Sequence, residues 1–164
     1  MKKLNSKYRN SAVGAFLAYV SRFNLLPANI SPLGAYGFFG GNVLFYFLSI
    51  IAFDWLKGGF YQGFIWTYLG FAAYPLFAFL SRKSTKRQVF FLPLASFTFF
   101  ILSNFGVFWP WYEHTWQGLL TCYALALPFY TRTLLSDLGF GYGFLLLKKL
   151  KNLAFSHSSR YNVL

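Results

Sequence analysis

The charged residues of this chain fall in a few clusters, and the uncharged stretches between them dictate its fold class. These runs extend from Asn10 to Ser21, Phe23 to Phe53, Gly58 to Ser81, Gln88 to Tyr112 and Thr115 to Thr131. A hydrocarbon layer about 30 Å thick takes roughly 20 helical residues to cross, so the third and fourth runs are each long enough to span it. The 164 residues are 57% hydrophobic, 24% aromatic and only 11% charged, and a water-soluble domain of this size could not cover itself with so little polar surface. The expectation is an all-α membrane protein, with a single transmembrane helical domain over residues 1–155 and a cytoplasmic tail over 156–164.

The remaining runs set the number of helices. Phe23 to Phe53 is too long for one span and is broken by Pro27, Pro32 and the Gly40-Gly41 pair, while 115–147 is interrupted only by Arg132 and Asp137. A six-span division places helices near 10–23, 30–40, 42–56, 60–81, 88–108 and 115–147. The last of these is expected to kink or divide near Pro128. A four-span division makes 10–23 an interfacial helix and 30–56 one broken span. The stretch after the basic N-terminus lacks a small-residue cleavage site, so the N-terminus is expected to be retained. Cys122 lies inside an apolar run and reads as a small packed hydrophobe.

The net charge of +12 would suggest nucleic acid in a soluble protein. Here the basic residues flank apolar runs, which points to anionic membrane lipids and not to nucleic acid. Lys2, Lys3, Lys7 and Arg9, then Arg82, Lys83, Lys86 and Arg87, then Lys148, Lys149, Lys151 and Arg160 form three groups, all cytoplasmic by the positive-inside rule. Both termini are then cytoplasmic, in a bacterial inner membrane. The outer face and its margin carry Asn24, Asn29, Asp54, Trp55, Lys57, Asn104 and the loop at 109–114.

The run Asn29-Ile30-Ser31-Pro32-Leu33-Gly34-Ala35, followed by Phe38-Phe39-Gly40-Gly41, resembles the opening motif of an uncharacterised bacterial family described as candidate transport proteins. Asp54, Ser103-Asn104-Phe105-Gly106-Val107, Thr115-x-x-Gly118-Leu119, Cys122-Tyr123, Pro128-Phe129 and Asp137 continue the pattern in order, from about residue 22 to 140. That family is similar in size and hydropathy to the substrate-binding S components of energy-coupling factor (ECF) vitamin transporters. The resemblance implies a compact bundle of about six helices with both termini cytoplasmic and an outward-opening site for a small micronutrient such as a vitamin. It also implies a transmembrane coupling subunit with ATPases as partner. Ser11 with Ala15, and Gly14 with Ala18, give the first helix a small-residue face like the one that docks that subunit in S components.

Candidate binding residues lie toward the outer side. Asp54 is an ionisable group near a membrane boundary, either a ligand contact or a carboxylate paired with Lys57. Asn104, beside Gly106, offers a donor and an acceptor to a ligand or to another helix. Asn29 belongs to the same outer margin. Trp109, Trp111, Tyr112, Glu113 and His114 form either an interfacial aromatic belt or a lid that stacks on a planar ligand. Arg132 and Asp137 near the inner end of the last run suggest a structural ion pair, although a spacing of five is imperfect for one helix face. No phosphate-binding loop, nucleophile elbow or metal-ligand cluster is present in the sequence. Neither an enzyme nor a cofactor or metal is therefore expected. The alternative function is a structural or accessory subunit of a larger membrane complex, to which the 23 Phe residues would be suited.

Overall fold

The computed structural model describes residues 2–23 and 26–161. They form six helices, with no strand among the described residues: α1 (Lys2–Ser21), α2 (Leu33–Phe39), α3 (Val43–Leu56), α4 (Phe64–Ser81), α5 (Thr85–Trp111) and α6 (Trp116–Tyr161). Asn24 lies outside the described residues, as do the side chains of Lys2, Lys3, Lys7, His157 and Arg160.

Local chemistry explains most of the boundaries. Asn42 caps α3, its side-chain oxygen accepting from the amides of Leu44 and Phe45 at 3.1 and 3.3 Å, which satisfies two of the orphan donors at a helix start. Two glycines with positive φ, Gly58 and Gly59, turn the chain after α3. α4 begins at Gly63, whose φ of 81° is costly for any residue with a Cβ. A Cβ there would also strike the backbone carbonyl of Gly106 on α5. The paired glycines thus let α4 and α5 approach backbone to backbone. α1 starts earlier than its apolar run, because Lys and Arg are good helix formers and helicity does not require burial. α6 stays one helix through Pro128, so the expected division there does not occur.

The core is aromatic. Tyr46, Ile50, Tyr74 and Leu92 are almost wholly buried, with Phe38, Phe71 and Ala95 around them. The small-residue face of α1 is spent inside the molecule: Ser11, Ala15 and Ala18 are buried, and the Tyr36 ring of α2 lies where a Cβ on Gly14 would be. Tyr36 donates its hydroxyl to the Ser11 carbonyl at 2.7 Å, and Ser11 Oγ donates to the Gly40 carbonyl at 3.2 Å. The small-residue face expected to dock a coupling subunit therefore packs within the molecule, against α2.

The helices give the molecule two unlike ends. Arg22, just past α1, meets Asp54 in the last turn of α3, so these helices run in the same direction. Trp55 lies there too. Trp66 at the start of α4 touches Phe105 near the end of α5, and Trp109, Trp111 and Trp116 surround the next turn. All five tryptophans therefore sit at one end. At the other, Thr85 of α5 lies beside Lys148 and Lys149 of α6, which brings two basic clusters together. α4 and α5 are long and apolar enough to cross a membrane, and only 28% of each spanning window is buried. A core helix of a soluble domain would be mostly covered.

Candidate functional site

Residues 26–32, ahead of α2, run without regular secondary structure, and side chains from α6 hold them. Asn29 takes a left-handed conformation, φ 65°, which Asn tolerates better than most residues. The Ser31 amide donates to Ser136 Oγ at 2.9 Å, and the same hydroxyl donates to the Ser31 carbonyl at 2.7 Å. One side chain thereby satisfies both backbone groups of a residue that has no secondary structure to do so. The Leu33 amide donates to Ser31 Oγ at 3.2 Å. One turn on, Gly34 lies against the Asp137 carboxylate and the Tyr74 ring, and a Cβ would collide with both. Tyr74 donates its hydroxyl to Asp137 Oδ2 at 2.5 Å.

This tethered segment roofs a cavity of about 330 Å³ that Asp54, Tyr61, Thr67, Phe99 and Thr133 help to wall. Among the described residues, Arg22 is its only cationic lining residue. The guanidinium lies 3.7 Å above the centre of the Phe53 ring, and Nη2 is 3.8 Å from Asp54 Oδ1. That separation attracts but does not hydrogen-bond. Asp54 instead accepts from the Tyr68 hydroxyl at 2.9 Å. Arg22 Nη1 is buried and makes no hydrogen bond among the described residues. A buried guanidinium donor without an acceptor is rare and costly.

Of the residues singled out from sequence, Asn29, Asp54 and Asp137 come together on this cavity. Asn104 lines an adjoining space of about 250 Å³ that shares Asn29, Phe99 and Thr133 with it. Its side-chain amide donates to the Phe100 carbonyl one turn back, at 2.7 Å, while its backbone carbonyl accepts from Cys122 Sγ of α6 at 3.5 Å. The aromatic loop stands apart. Trp109 borders an apolar groove with Tyr61, Trp66 and Pro110, His114 stacks on the Trp109 ring at 4.5 Å, and Trp111, Tyr112 and Glu113 do not reach the cavity. The lid expectation is thereby corrected: these rings turn outward, Trp111 being 72% exposed.

Two pairings also differ from expectation. Asp54 meets Arg22, not Lys57, whose ammonium lies 5.5 Å from the Phe23 ring centre. Arg132 and Asp137 form no ion pair: Arg132 is exposed while Asp137 is buried. Five residues along a helix is about 500°, which leaves the two side chains some 140° apart. Among the described residues no three His, Cys, Asp or Glu side chains gather as metal ligands would. What converges is one cation, two carboxylates and several hydroxyls over aromatic walls, an arrangement that can orient a small polar solute.

A family model matches residues 2–157, nearly the whole chain. The chain belongs to DUF6580, a family of unknown function. No curated protein and no solved structure matches it. Family membership covers all the elements that build the cavity, from Arg22 on the α1 side to Asp137 on α6.

Proposed function

We propose that the chain is a multi-pass protein of the bacterial cytoplasmic membrane that captures a small polar solute in the cavity beneath residues 26–34, in the manner of an ECF S component. The observation that carries this reading is Arg22, a largely buried cation facing a cavity with one donor unspent. A ligand carboxylate or carbonyl would satisfy it, while Asp54 and Asp137 would receive the donors of the same ligand. The volume lies at the low end of the roughly 300–1,000 Å³ usual for small-molecule sites, which favours a compact micronutrient over a large cofactor.

The membrane reading is supported by the exposed apolar surfaces of α4 and α5, by tryptophans at one end and by basic clusters at the other. In that arrangement the cavity opens on the outer side. α3, with 14 residues, is about 21 Å long and falls short of the hydrocarbon thickness. α2 and α3 thus form a re-entrant pair, with the turn between them packed against Ser11 of α1, since irregular backbone at membrane depth needs protein around it. Translocation would depend on partner subunits.

Ligand capture is tested by analysing small molecules released from the purified protein, and by thermal stability in detergent against a panel of vitamins and vitamin precursors. A bound solute that is lost in Arg22→Gln and Asp54→Asn variants is expected. Protein that carries no solute and is stabilised by none of the panel, but elutes in fixed stoichiometry with a large membrane complex, would favour an accessory subunit instead.

A further inference from the structure

At the basic end, far from the cavity, α5 and α6 diverge and leave a groove of about 490 Å³. Its α6 wall is a single helical stripe, since Leu145, Leu146, Lys149 and Leu153 recur at spacings of three and four. Val89 supplies the α5 wall. Tyr142 fixes the two helices at the groove floor by donating its hydroxyl to the Val89 carbonyl at 2.8 Å. Lys148 and Lys149 line the groove between Leu146 and Leu153.

We infer that this groove holds an anionic phospholipid, with its phosphate between Lys148 and Lys149 and an acyl chain along Val89, Leu145 and Leu146. Charge and shape both select that occupant. Leu145 and Leu146 precede the two exposed lysines on the membrane side of α6, as acyl chains lie below a headgroup phosphate, and among the described residues no acidic side chain lines the groove to compete for them. Val89, Leu146 and Leu153 are each exposed, and in water such a lined slot would be unfavourable. Basic recesses between helices on the cytoplasmic side are suited to acidic lipid headgroups. The inference uses the membrane placement proposed above but not the solute cavity, so failure to find a solute leaves it standing.

The test is native mass spectrometry of the full chain in detergent, titrated with phosphatidylglycerol or phosphatidylcholine of the same acyl length. A single phosphatidylglycerol is expected to bind, with affinity reduced roughly tenfold or more by the Lys148→Gln/Lys149→Gln pair. The Arg82→Gln/Lys83→Gln pair, outside the groove, should leave it nearly unchanged. Val89→Trp keeps every charge but fills the slot, and it should weaken binding as well; this variant also decides the matter if the lysine pair fails to fold. Equal affinity for the two lipids, equal loss in both charge pairs, full binding by Val89→Trp, or displacement by free glycerophosphate would each overturn the inference.

Discussion

Tyr74 and Asp137 make the clearest residue-scale prediction. Their hydrogen bond is buried, and Gly34 leaves the carboxylate just enough room. Tyr74→Phe should cost about 2 kcal/mol, because a buried carboxylate loses its donor, and a thermal melt in detergent would read this. Gly34→Ala should be at least as damaging, since the added methyl meets both Asp137 and the Tyr74 ring. An alanine at Gly143, where a Cβ meets nothing, is the matched control. Sequence reading found Asp54 and Asp137 because a carboxylate in apolar sequence is conspicuous. It missed Arg22, which ends an uncharged run and so resembles an ordinary boundary charge. Its importance comes from Asp54 and Phe53, some thirty residues away, and no local pattern announces that contact. Tyr61, Tyr68 and Tyr74 were hidden for a related reason, being three among 12 tyrosines.

At the scale of elements, Ser136 joins α6 to the irregular segment that roofs the cavity. Ser136→Ala removes both of its bonds to Ser31 and should raise amide exchange in residues 26–34 by about tenfold, at roughly 1–1.5 kcal/mol for the lost pair. Exchange in α4 should not change. The divisions at 30–40, 42–56 and 60–81 anticipated α2, α3 and α4 well, because Pro32, the Gly40-Gly41 pair and the Gly58-Gly59 pair are strong punctuation. Pro128 was weaker punctuation than expected; a proline removes one intrahelical bond, and in apolar surroundings the helix can absorb the loss. The position of the aromatic loop relative to the cavity depended on how α5 and α6 cross, and nothing in residues 109–114 encodes that.

On the scale of the whole molecule, orientation can be tested without a ligand. Single cysteines placed at Gly58 and Ser84 in a Cys122→Ser background should react with an impermeant maleimide from opposite sides of the membrane, Gly58 from outside. Labelling of both from one side would contradict the antiparallel placement of α4 against the bilayer. That the tryptophans lie at one end and the central and C-terminal basic clusters at the other agrees with the sequence pattern, in which Trp55, Trp109 and Trp111 lie across apolar runs from those clusters. α6 gives this segregation a mechanical meaning. From Trp116 to Lys148 the helix is about 48 Å long at 1.5 Å per residue, slightly more than the roughly 40–45 Å of a bilayer with its headgroups. On the membrane placement proposed above, a rod pinned by an indole at one interface and by ammonium groups at the other would tilt as the membrane thins. Ser136 and Asp137 lie about one turn past its midpoint, so such tilting would pull on the cavity roof. Solute affinity should therefore depend on acyl-chain length when the protein is moved between nanodiscs of different thickness, making the bilayer itself an effector of the site.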